Sequence, residues 1–150
     1  MNYTTIWDRR VTIAWKNNPT FMSPASNGIM EKKTTEVGDT TKELEKGKSH
    51  IVVEIIEYVS HSVVIKTIIK KSTGNISIMS FDSGEGLTEK RSPFDTFVQI
   101  IEGNAELVID NISHFLKSGE GIIIPANASN FIKPNGRFKM IQTIIKSGYE

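Results

Sequence analysis

Gly84-Glu-Gly-Leu-Thr-Glu-Lys90-Arg-Ser92-Pro-Phe-Asp-Thr96-Phe-Val-Gln-Ile-Ile-Glu-Gly103 and Gly119-Glu-Gly-Ile-Ile-Ile-Pro125-Ala-Asn127-Ala-Ser-Asn130-Phe-Ile-Lys-Pro134 are two glycine-punctuated blocks separated by fifteen residues. Each frames a short apolar strand, so the second repeats the layout of the first. Phe97–Glu102 and Ala105–Ile109 are β-rich runs on either side of Gly103-Asn104, which reads as an antiparallel hairpin because that dipeptide tolerates a positive φ. Ile122-Ile123-Ile124 is continuously apolar, as for a strand buried on both faces, and Pro125 ends it because proline cannot donate to a ladder. Phe138–Ile145 supplies a closing strand, and nothing in the region has helical periodicity.

Working outward toward the N-terminus, Ile51–Tyr58 is β-prone, although its apolar pairs also fit a short helix. Val63–Lys71 breaks at the turn Ser72-Thr-Gly74, and Asn75–Phe81 alternates until Asp82-Ser-Gly-Glu-Gly86 stops it. Roughly nine turn-bounded strands predict a barrel or sandwich that closes to hide its edges.

The spacing Gly84-x5-Lys90-x-Ser92-x3-Thr96-x6-Gly103 resembles the first cupin motif, and Gly119-x5-Pro125-x-Asn127-x2-Asn130-x3-Pro134 resembles the second. The intervening fifteen residues also suit that family. Phe81-Asp-Ser-Gly-Glu-Gly-Leu, Val98-Gln-Ile-Ile-Glu-Gly and Pro125-Ala-Asn are similar to stretches of small bacterial single-domain cupins of the RmlC-like, cupin 2 type. The resemblance runs from near Glu54 to near Lys146. It implies an all-β fold, the double-stranded β-helix or jelly-roll barrel, as a domain over 49–150 behind an N-terminal extension over 1–48.

The resemblance fails where cupins hold their metal. That family places two histidines and a carboxylate in the first motif and a histidine in the second, and this chain has Lys90, Ser92, Thr96 and Asn130 at those positions. Hydroxyl and amide oxygens are poor ligands for the ions that imidazole suits. An ammonium about 4 Å from a divalent ion at an effective dielectric near 20 is repelled by roughly 8 kcal/mol. Deprotonating it at neutral pH costs roughly 5 kcal/mol instead. The expectation is a barrel without metal or other cofactor, with Lys90, Ser92, Thr96, Gln99 and Asn130 lining a site for a small organic anion or sugar. Arg91 lies beside that set, and an outward-turned Lys90 is the bland alternative. The rival reading is a metal-dependent dioxygenase or isomerase that recruits Glu85, Glu89 or Asp95 from the same loop as unconventional ligands.

Composition limits the remaining classes. The 150 residues are 38% apolar and 23% charged, enough for one domain with a core. A net charge of +1 argues against nucleic acid or anionic membrane as partner. With no cysteine there is no disulfide, thiolate nucleophile or zinc–cysteine site, which suits a cytoplasmic protein. His50, His61 and His114 are the only histidines and none falls on a motif position, so no triad is expected and catalysis has no nominated residue. The extension is read as flexible or peripheral, since Glu31–Lys48 has few apolar residues. Trp7 and Trp15 either pin a short strand or hairpin to the barrel or to a second subunit, or sit exposed in a mobile tail. Cupins of this size commonly pair, so the resemblance also implies a homodimer.

Overall fold

The structure is a computed structural model that describes residues 42–148. Over these residues the β-branched runs form nine strands: β1 (Val63–Lys71), β2 (Gly74–Phe81), β3 (Leu87–Lys90), β4 (Thr96–Glu102), β5 (Asn104–Ile109), β6 (Ile112–Lys117), β7 (Gly121–Ile124), β8 (Asn130–Ile132) and β9 (Phe138–Ile145). They make a five-stranded sheet in the order β1-β2-β9-β4-β7 and a four-stranded sheet in the order β3-β8-β5-β6. All the strand pairings among the described residues are antiparallel. The all-β barrel expected from the glycine blocks is therefore the observed architecture, and among the described residues no helix is long and apolar enough to cross a membrane.

The inward faces meet in one core. Phe81 and Phe138 stack with ring centroids 4.2 Å apart, and Met79, Met140, Ile100 and Leu107 pack around them, each 0–2% exposed. A second, smaller apolar cluster lies outside the five-stranded sheet, where Ile56 covers Val64 and Ile78. Residues 51–62 are fastened there by polar contacts. Ser80 Oγ donates to the Glu57 carbonyl (2.8 Å), Lys139 Nζ to the Val53 carbonyl (2.6 Å) and Tyr58 OH to Glu102 Oε1 (2.6 Å).

Three local expectations need correction. Phe97–Glu102 and Ala105–Ile109 do not form a hairpin: β4 lies in one sheet and β5 in the other. Gly103, at φ 78°, passes the chain between sheets so close to the backbone that a Cβ would meet the Arg137 carbonyl oxygen at 2.4 Å. The tight hairpin lies one strand later, where Asp110 and Asn111 adopt φ 45° and 69° between paired Ile109 and Ile112. Ile122–Ile124 is not buried on both faces, because β7 is the sheet edge and Ile123 is 62% exposed. Ile51–Tyr58 forms no strand, only a short 3-10 turn over Val52–Glu54, and its apolar side chains serve as a cover. β3 and β8 are too short for their patterns to register in the sequence, and they pair only because the barrel brings them together. Of the N-terminal extension, residues 42–48 run largely exposed beside β1, tied by Leu44 N–H to the Ile68 carbonyl (3.1 Å). The readings of Trp7 and Trp15 lie outside the described residues.

Candidate functional site

Strand alternation fixes which side chains enter the barrel. On the five-stranded sheet the inward rows run Val63–Phe81–Phe138, then Ile65–Met79–Met140–Ile100, then Thr67–Ser77–Gln142–Val98–Ile122, then Asn75–Ile144–Thr96–Ile124. Polarity thus rises along the barrel axis. On the four-stranded sheet Leu87–Ile132–Leu107 is followed by Lys90–Asn130–Ile109. The loops 91–95 and 125–129 join Lys90 to Thr96 and Ile124 to Asn130, so the polar ends of both sheets coincide.

Within this end Ser77, Thr96, Asn130 and Gln142 are all buried. Asn130 Nδ2 donates to the Lys90 carbonyl (3.3 Å) and to the Ala128 carbonyl (3.2 Å), holding β8 to the irregular end of β3. Ser77 Oγ accepts from Asn75 Nδ2 (3.3 Å), and Thr96 Oγ1 points back to the Phe94 carbonyl at 3.5 Å, a contact at the limit of hydrogen bonding. Gln142, 5% exposed, faces the interior between Ser77 and Val98, and its amide has no side-chain hydrogen bond among the described residues. A buried amide without a partner is costly, on the order of 1–3 kcal/mol, and such a group is a natural point of contact for a polar guest.

Lys90 reaches the interior because the register shift between Leu87 and Lys90 turns β3 by one residue. The same shift sends Glu89 to the Ser129 hydroxyl, which donates to it. Burial holds the Lys90 ammonium down to a pKa of about 8, since the charged form has lost water. A lysine in that state is half charged near pH 8 and gains from any anion that replaces its hydration.

The other sequence-nominated residues divide. Thr96 and Asn130 lie with Lys90 at the polar end. Ser92 belongs to the rim, where its hydroxyl accepts from the Phe94 N–H (3.2 Å) and its carbonyl accepts from the Asn127 N–H (2.6 Å). Gln99 must be corrected. It alternates with inward Val98 and Ile100 and stands opposite Ile141, on the outer face. Gln142 is the interior glutamine, and the signal for it was its place in Met140-x-Gln142-x-Ile144, a period-two pattern whose buried face only the sheet order reveals. Arg91 donates to the Asn127 carbonyl (2.8 Å) and so clamps the two motif loops together.

The donor set does not fit a transition metal. Glu89 is held by Ser129, Asp95 Oδ1 accepts the Ala126 N–H (2.8 Å), and among the described residues no three histidine, aspartate or glutamate side chains converge. What remains is one lysine and neutral donors, a set that matches carboxylate and hydroxyl groups.

Neither a family model nor any curated protein matches the sequence. Solved structures match the fold throughout the barrel. A conserved protein of unknown function from Streptococcus pyogenes superposes with a TM-score of 0.67 at 22% identity, covering 74% of this chain and 97% of that one. A cupin superfamily protein from Desulfitobacterium hafniense gives 0.65 at 27% identity, covering 70% and 96%. A cupin 2 conserved barrel domain protein from Leptotrichia buccalis gives 0.61 at 29% identity, covering 63% and 46%.

Proposed function

Because the chain is a cupin superfamily protein by its fold, we propose that it is a non-catalytic cupin barrel that binds a small organic anion or sugar acid. The ligand occupies the polar end of the barrel. The observation that carries this reading is the presence, among the inward residues of that end, of a desolvated lysine, Lys90, and of the buried amide of Gln142, which has no hydrogen-bond partner among the described residues. The ligand carboxylate faces Lys90, and a hydroxyl or carbonyl group meets Gln142 and the hydroxyls of Ser77 and Thr96. Nothing in this set forms a nucleophile with a base to activate it, so the role is binding.

The test is a thermal-shift screen of small carboxylates and sugar acids, followed by calorimetric titration of the hits against the wild type, Lys90→Met and Gln142→Met. Binding that is lost in Lys90→Met and weakened in Gln142→Met supports the reading; unchanged affinity in both variants sinks it. Affinity also depends on pH with a definite sign. An anion raises the Lys90 pKa above the free value of about 8, so binding is strongest below pH 8 and weakens as pH rises through it, by up to about tenfold per unit. A neutral sugar shows no such dependence.

A further inference from the structure

β6 and β7 follow one another in the chain but are edge strands of different sheets, so a seam runs between them that no strand pairing closes among the described residues. The inward rows of the four-stranded sheet end at this seam. Leu87–Ile132–Leu107 ends on His114, and Lys90–Asn130–Ile109 ends on Ile112. On the β7 side the inward residues are Ile122 and Ile124, opposite Val98 and Thr96. Ile112 is 63% exposed although its partner Ile109 is only 8% exposed. The interior is therefore open to solvent where the seam meets the polar end of the barrel.

His114 stands one step inside that opening. It is half-buried, with Leu107 across from it and Ile112 and Leu116 on either side along its face of the strand. Its ring makes no hydrogen bond or ion pair among the described residues. Glu106, which accepts from Lys133 Nζ and Ser113 Oγ, lies on the other face of the sheet, opposite Phe115. The row ending on His114 lies one below the Lys90 row, as Gln142–Val98–Ile122 lies one below Thr96–Ile124, so His114 and the buried amide of Gln142 share a depth. Lys90 and His114 occupy opposite edges of the four-stranded sheet, three strand spacings or about 14 Å apart across it. A single carboxylate does not bridge that span. Between the two edges Ile109, Leu107 and Ile132 form an apolar floor suited to methylene groups, and an imidazole donates an N–H to a carboxylate in either protonation state.

We propose that His114 is the second anion contact of the barrel and that its guest is an extended dicarboxylate, with one carboxylate at Lys90, the other at His114 and the methylene chain between them. The inference rests on the binding role proposed above for the same end of the barrel. It is tested by calorimetric titration of the full-length protein with the dicarboxylates from glutarate to suberate, each against the monocarboxylate of equal carbon number, such as adipate against hexanoate. In the wild type the dicarboxylate of best-fitting length is expected to bind about tenfold tighter than its monocarboxylate, the worth of one hydrogen bond to a charged group. His114→Leu should abolish that advantage and leave monocarboxylate affinity unchanged, and His114→Gln, which keeps an N–H donor, should retain part of it. Thermal melts of both variants check that each is folded. A wild type that binds mono- and dicarboxylates equally overturns the inference, as does an advantage that survives in His114→Leu; the binding role itself still stands in either case if Lys90→Met loses both kinds of ligand. If no carboxylate binds, or if Lys90→Met leaves both affinities unchanged, the binding role falls and this inference falls with it.

Discussion

Lys90 and Gln142 each carry a liability at the same end of the barrel. Folding removes water from the Lys90 ammonium and lowers its pKa to about 8, so the charged form is penalised in the folded state. That penalty is in full force below pH 8 and fades as pH rises toward the ordinary lysine value near 10.4. Stability of the ligand-free protein should accordingly rise between pH 8 and about 10.4, and Lys90→Met should remove that rise while stabilising the protein at pH 7 by roughly 1–3 kcal/mol. Urea titrations of both proteins at several pH values measure this, and a less stable Lys90→Met would contradict it. Gln142→Met conserves volume and removes an amide with no partner among the described residues. It should gain about 1–3 kcal/mol in the same titrations. A loss would mean that the amide is satisfied by ordered water, and that the site is already hydrated as a unit.

At the scale of elements, the connections are more specified than the strands. Gly103 turns from β4 in one sheet to β5 in the other with φ 78°, and a Cβ there would strike the Arg137 carbonyl and the Phe138 backbone. Gly103→Ala should cost about 2 kcal/mol or more in chemical denaturation, against a few tenths at Gly136, which has open space around it. The cover formed by residues 51–62 ends on Asp82, whose carboxylate accepts the His61 N–H (2.7 Å) and the Arg137 guanidinium (2.7 Å). The His61 backbone bond, followed by Arg137, holds the Asp82 carboxyl down to a pKa of about 2. A depressed carboxylate stabilises the fold fully above its unfolded value, near 4, and that contribution is lost as pH falls toward 2. The acid limb of the stability profile between pH 4 and 2 should therefore flatten in Asp82→Asn. An unchanged profile would place the acid-sensitive contact elsewhere.

For the whole molecule, the two sheets are held by an interior that is apolar at one end and polar at the other. The Phe81–Phe138 stack anchors the apolar end, and Phe138→Ala should cost about 3–5 kcal/mol with no specific effect on ligand binding beyond that loss of stability. Under the proposed binding role, the polar end is the part of the core given up for recognition. A barrel of this size can tolerate that because the aromatic and methionine layers below it remain fully buried.

The sequence by itself determined the fold class and both long strands that flank β2 in the large sheet. These are written locally, in period-two runs and glycine spacing. β1 and β9 have the limits that their patterns predict, Val63–Lys71 and Phe138–Ile145. What only the tertiary structure decided is which face of each strand looks inward and which strands are neighbours. Gln99 and Gln142 have the same chemistry and similar local patterns, yet one stands on the outer face and the other in the barrel. Likewise Gly103 reads as a hairpin until the sheets separate β4 from β5. The physical reason is that alternation defines two faces without labelling them. The label comes from burial against the opposite sheet, through contacts between residues far apart in the chain.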